Sequence, residues 1–116
     1  MLHILDKQNS ILGNFIKEIR SVDIQRDSMR FRRNIERIAQ VMCYEISKSL
    51  NYETEPIQTP LGIAPTNVVA DKIVVASILR AGLAMHNGVL DFFDGAENCF
   101  VSAYRKYTDE THFDIH

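Results

Sequence analysis

No apolar run in the 116 residues approaches the roughly 18 that a membrane-spanning helix needs. Excess positive charge is missing too. Lys and Arg number 13 against 15 Asp and Glu, a formal net charge of −2, and no basic stripe carries interleaved aromatics. Nucleic acid is therefore not an expected partner. The opening residues, Met1-Leu2-His3-Ile4-Leu5-Asp6-Lys7, put charge where a signal peptide needs its apolar centre, so export is not expected and the reading is cytoplasmic. Cysteine is scarce: only Cys43 and Cys99 are present, one in a predicted helix and one in a predicted strand. Both are expected as reduced core thiols. Three prolines and five glycines leave no linker and no low-complexity run, and no internal repeat is visible. With 46% hydrophobic and 24% charged residues, what remains is a soluble globular protein of one domain at most.

Hydrophobic periodicity orders the elements. Asn9-Ser10 can cap a first helix whose Ile11, Leu12, Phe15, Ile16 and Ile19 follow the 3.6-residue period. Ser21 to Gln25 breaks it. A longer helix is expected from Asp27 or Ser28 to about Leu50, with Phe31, Ile35, Ile38, Met42 and Ile46 on one face. Arg30, Arg33 and Arg37 gather on another face, where a solvated helix surface accounts for them better than an anion site. From Asn51 the period changes: Glu53 to Gln58 alternates weakly, Pro60-Leu61-Gly62 supplies a turn, and Ile63 begins a return. A short hairpin is expected there. Next come a buried strand, Ile73 to Leu79, a helix from Leu83 to Phe93 that Asp94-Gly95 ends, and a strand from Cys99 to Tyr104. The intervening helix requires these two strands to be parallel, with a right-handed crossover.

Arg80-Ala81-Gly82 follows the first of these strands directly, and Arg105 follows the second. Ligands of open parallel sheets sit beyond the carboxyl ends of the strands, so both arginines fall where an anion would be held. Gly82 and the small Ala81 let backbone N–H groups come close to phosphate oxygens, and the next helix N-terminus adds a favourable dipole. Each arginine supplies a planar fork of donors. A strand-end arginine paired with a neighbouring carboxylate would satisfy the same three residues, and Arg-Ala-Gly alone does not separate the two. His86 reads as an exposed helix residue.

The run Ser77-Ile78-Leu79-Arg80-Ala81-Gly82-Leu83-Ala84-Met85, then His86-Asn87-Gly88-Val89-Leu90, then Tyr104-Arg105 resembles the uracil phosphoribosyltransferase family. That family has a strand ending Pro-Ile-Leu-Arg-Ala-Gly-Leu-Gly-Met, a polar pair, Gly-Val-Leu, and a strand ending Tyr-Arg. Ile11-Leu12 through Arg26, Phe31-Arg32 and Tyr44-Glu45 resemble its N-terminal helical segment. The resemblance implies an α/β fold, a partial phosphoribosyltransferase-like parallel sheet with N-terminal helices and a β-hairpin. Residues 1–116 would be the N-terminal portion of a single domain. The implied activity is pentosyl transfer in pyrimidine salvage: uracil and 5-phosphoribosyl 1-pyrophosphate give UMP and pyrophosphate. Mg2+ accompanying phosphoribosyl pyrophosphate, GTP as an allosteric activator and a homo-oligomeric state are implied with it. Arg80, Ala81, Gly82 and Arg105 would contact phosphoribosyl pyrophosphate; no catalytic residue and no metal ligand is assigned. Ser77 replaces the family's proline and Ala84 a glycine. His86-Asn87 stands where an acidic residue is common, which speaks against a magnesium role at that place.

Two parts of the family pattern are absent, the Thr-Gly-Gly-Ser-type phosphoribosyl loop and the later uracil-recognising segment. Thr108 to His116 alternates like a strand cut in the middle, and two parallel strands alone make no stable sheet. The chain is therefore expected to be an incomplete domain, inactive by itself, or a partner in an oligomer. The alternative is a non-catalytic anion-binding or oligomerisation module derived from the same fold. His112, Asp114 and His116 would share a strand face and are credible zinc or iron ligands by type. No second ligand cluster stands upstream, however, and alternation describes any half-buried strand, so no metal site is expected. In the resembled family this region is an arm reaching toward the partner subunit.

Overall fold

The structure, a computed structural model, describes residues 2–107 and 113–115. A 3-10 turn at Leu5–Lys7 leads into α1 (Leu12–Arg20) and α2 (Ser28–Ser47), then β1 (Tyr52–Thr59) and β2 (Gly62–Val69). The second half runs β3 (Val74–Leu79), α3 (Leu83–Phe92), β4 (Glu97–Ser102), β5 (Arg105–Tyr107) and β6 (Phe113–Ile115). The starts of α1 and α2 carry short polar side chains that accept backbone N–H groups. Ser10 Oγ accepts the Leu12 N–H at 3.2 Å, and Asp27 accepts the Arg30 N–H at 3.1 Å. A cap of this kind stabilises a helix by about 1 kcal/mol.

Among the described residues the buried apolar ones are Leu12 of α1, Ile38, Ala39 and Cys43 of α2, and Val75 of β3. Burial of the Cys43 thiol raises its pKa, because desolvation penalises the thiolate. The buried stripe of α2 is thus Asn34, Ile38, Ala39 and Cys43, while Phe31, Met42 and Ile46 of the expected face are exposed. The cause is the crossing with α3. Gly88 lies so near α2 that a Cβ there would land on the Glu36 carbonyl oxygen and 2.8 Å from Ala39 Cβ. Close crossing selects small side chains, and it rotates α2 away from its largest apolar ones.

The arginine stripe on α2 is engaged locally. Arg30 lies 3.6 Å from Glu18 and Arg33 2.9 Å from Glu36, while Arg37 donates to Asn34 Oδ1 at 3.1 Å. Asn34, completely buried, donates to Glu18 Oε2 at 2.6 Å. That hydrogen bond, with Arg30 close by, holds the Glu18 carboxyl below its ordinary pKa.

β1 and β2 pair antiparallel along their whole length, from Tyr52 opposite Val69 to Thr59 opposite Gly62. Pro60 and Leu61 form the turn, and Gly62 at φ 128° takes a backbone shape that other residues rarely adopt. Its eight-residue strands make the hairpin longer than expected. At its neck the Asp71 carboxylate accepts both the backbone N–H of Asn51, at 2.7 Å, and its Nδ2, at 3.0 Å.

β3 and β4 are parallel, Val74 opposite Glu97 through Leu79 opposite Ser102. α3 covers one face of this pair. On the other, Val74, Ile78 and Val101 are exposed. Cys99 lies on that open face, paired in register with Ala76, so it is exposed and not the core thiol that composition suggested. β4 ends at Ser102, earlier than expected. Arg105 is therefore not a strand tip but the first residue of β5, which pairs antiparallel with β6. His112 and His116 lie outside the described residues.

Candidate functional site

The turn after β3 is built by its own backbone. Gly82 N–H bonds the Ile78 carbonyl at 3.1 Å, Leu83 N–H bonds the Arg80 carbonyl at 3.1 Å, and His86 N–H bonds the Gly82 carbonyl at 2.9 Å. The chain thereby reverses from strand to helix within three residues. Gly82 has φ −75°, so conformational freedom does not explain it. Room does: a Cβ at this position would stand 2.8 Å from the Ile78 carbonyl oxygen and 3.4 Å from Ser77 Cβ. The peptide bond joining Leu79 to Arg80 is cis.

The Gly82 N–H, expected to reach an anion, is spent on Ile78. The N–H groups of Ala81, Ala84 and Met85 meet no backbone carbonyl among the described residues. First-turn N–H groups of a helix commonly lack an intrahelical carbonyl. Arg80 and Ala81 are exposed, and Arg80 forms no ion pair with a carboxylate among the described residues. Register places Arg80 one residue, and Arg105 three residues, beyond the last paired rung, Leu79 with Ser102. Both backbone positions thus fall past the carboxyl ends of the parallel pair, although the strand expected to carry Arg105 stops short of it.

His86 is where the structure departs most from the sequence reading. It is 1% exposed, not a surface residue. Nδ1 lies 2.6 Å from Ser77 Oγ and Nε2 2.7 Å from Asn98 Oδ1, and the ring stacks on Phe100 with centroids 4.5 Å apart. A signal was available: Val89, Leu90 and Phe93 follow His86 at three, four and seven residues, the spacing of one helix face. The histidine stands in line with that inward stripe. Among the described residues no group of three His, Cys, Asp or Glu side chains could hold a metal ion. Both ring nitrogens of His86 are engaged, by Ser77 and by Asn98.

Parallel strands joined by a helix, with a glycine-tight turn at their carboxyl edge, define an α/β protein of the open-sheet kind. The family model for uracil phosphoribosyltransferase matches residues 7–114, and the chain belongs to that family. A uracil phosphoribosyltransferase of Porphyromonas gingivalis is 54% identical over 112 residues, which is 97% of this chain and 52% of the relative. One from Clostridium acetobutylicum is 37% identical over 84 residues, 72% of this chain and 40% of the relative. The solved structure of the AQ2163 protein from Aquifex aeolicus superimposes with a TM-score of 0.71 at 23% identity, covering 92% of this chain and 51% of that one. That likeness bears on the fold alone. The chain spans about half the length of the curated relatives it matches.

Proposed function

We propose that the protein transfers a 5-phosphoribosyl group from its pyrophosphate to uracil, and that this chain supplies the pyrophosphate side of the site. One observation carries the reading: in a chain of this family, Arg80, Ala81 and a sterically required Gly82 form the turn at the carboxyl end of β3. In such a transfer the bond from the anomeric carbon to pyrophosphate breaks as a ring nitrogen of uracil bonds to that carbon, and the proton of that nitrogen is released to water or to the departing pyrophosphate. Negative charge gathers on the leaving oxygens and positive charge on the sugar. Holding and neutralising the leaving group then gives most of the acceleration. The Arg80 guanidinium offers paired donors to those oxygens, the Ala81, Ala84 and Met85 N–H groups offer neutral ones, and the dipole of α3 favours the charge. Arg105, the first residue of β5, would supply a second cation. Magnesium would arrive on the diphosphate oxygens, as it commonly does with phosphate substrates.

Assembly with further copies, GTP activation and a cytoplasmic setting belong to the same proposal. Light scattering tests the first, and activity with and without GTP the second. The main test is UMP formation from uracil and phosphoribosyl pyrophosphate by the intact gene product; no UMP overturns the reading. The matched span is 52% of the Porphyromonas gingivalis relative and 40% of the Clostridium acetobutylicum one, which favours a second reading, an anion-binding module of this fold. It predicts pyrophosphate binding without turnover.

A further inference from the structure

His86 joins three elements with one side chain. Asn98 Oδ1 faces Nε2 at 2.7 Å, and a carbonyl oxygen only accepts, so Nε2 carries the proton. In the neutral ring Nδ1 is then a lone pair, to which the Ser77 hydroxyl donates at 2.6 Å. Phe100 fixes the ring plane from β4. Ser77 stands three residues before Arg80, and its Cβ lies 3.4 Å from where a side chain on Gly82 would begin. The Ser77 side chain is thus the floor under the turn. From above, the backbone N–H of His86 holds the Gly82 carbonyl at 2.9 Å. The same residue therefore grips the turn at both ends.

We propose that His86, as its neutral Nε2–H tautomer, is a positioning residue: by holding Ser77 it sets the backbone of Arg80–Gly82 at the spacing that a diphosphate requires. The inference rests on the reading that this turn binds the diphosphate. An apolar side chain at 86 would take its partner from the half-buried Ser77 hydroxyl and untie β3 from β4 at this point, leaving the strand end free to shift.

Asparagine and glutamine divide the two ring nitrogens between them. An asparagine amide falls near the place of Nδ1 and keeps Ser77; a glutamine amide falls near that of Nε2 and keeps Asn98. The experiment is calorimetric titration of phosphoribosyl pyrophosphate into the intact gene product, with melting temperatures measured alongside. It compares the wild type with His86→Asn, His86→Gln and Ser77→Ala. His86→Asn is expected to bind within about threefold of wild type, and His86→Gln and Ser77→Ala about tenfold more weakly, the effect of one lost hydrogen bond. The two amide variants should melt at similar temperatures, so loss of stability alone does not produce this split. Equal affinity across all four proteins, or a loss confined to His86→Asn, overturns the inference. If His86→Gln does not fold, Ser77→Ala decides, since it removes a single hydroxyl; wild-type affinity there overturns it. Failure of the wild type to bind brings down the diphosphate reading as well, whereas binding with unaffected variants brings down only the role of His86.

Discussion

Replacing Gly82 by alanine tests the turn at its tightest point. The backbone of Gly82 is already in the right-handed region at φ −75° and ψ −6°, so alanine meets no conformational penalty. The new methyl group would stand 2.8 Å from the Ile78 carbonyl oxygen, 3.5 Å from the Ile78 nitrogen and 3.4 Å from Ser77 Cβ. The first contact is several tenths of an ångström too short. Ile78 cannot give easily, because it belongs to β3, pairs with Val101 and accepts the Gly82 N–H at 3.1 Å. Overpacking against backbone of this kind costs about 1–3 kcal/mol. With a urea slope of roughly 2 kcal/mol per molar, the unfolding midpoint should fall by about 1 M. Gly13→Ala is the control. Nothing lies within 4 Å of a Cβ there, the position is inside α1, and stability should rise by up to about 1 kcal/mol. Equilibrium unfolding of the three proteins under one set of conditions gives the answer. Equal midpoints for Gly82→Ala and wild type would refute the tight approach, and with it the claim that room is why glycine stands at 82.

Gly88→Ala should destabilise more than Gly82→Ala, because its methyl group would meet both the Glu36 carbonyl and Ala39 Cβ where α2 crosses α3; a urea midpoint at or above that of Gly82→Ala contradicts this. The Asp71 clamp predicts a pH dependence. Hydrogen bonds from the Asn51 backbone and side chain lower the Asp71 pKa, so its contribution is complete above the unfolded value of about 3.9. It is lost as pH falls through the lower folded value. The melting temperature of wild type should exceed that of Asp71→Ala by a constant margin near neutrality, and the margin should close in acid; a margin that widens in acid reverses the sign and refutes the clamp.

Some of this could be read from the residues alone because the determinants are local. Asp27 caps α2 through its own next turn, Pro60-Leu61-Gly62 turns the hairpin, and a helix between β3 and β4 leaves only the parallel arrangement. The turn Arg80-Ala81-Gly82 between β3 and α3 was legible for the same reason. What escaped the sequence depends on partners far along the chain. The buried face of α2 is fixed by Gly88 of α3, and small residues at a close crossing send no strong hydrophobic signal. His86 is buried because Ser77 and Asn98, nine and twelve residues away, complete its hydrogen bonds; alone on a helix it looks like a surface residue. Cys99 and Val101 have the composition of a core strand, yet only the pairing in register shows that they occupy the face away from α3.

The central claim is that the turn at Arg80 grips the diphosphate, and titrating phosphoribosyl pyrophosphate into Arg80→Ala tests it most directly. Removing a charge-assisted contact of roughly 1.5–3 kcal/mol should weaken binding at least tenfold. Uracil affinity and melting temperature should stay near those of wild type. Arg80→Lys should recover part of the loss, since lysine keeps the charge without the fork. Unchanged affinity for phosphoribosyl pyrophosphate, together with a lowered melting temperature, would contradict the account and make Arg80 a structural residue.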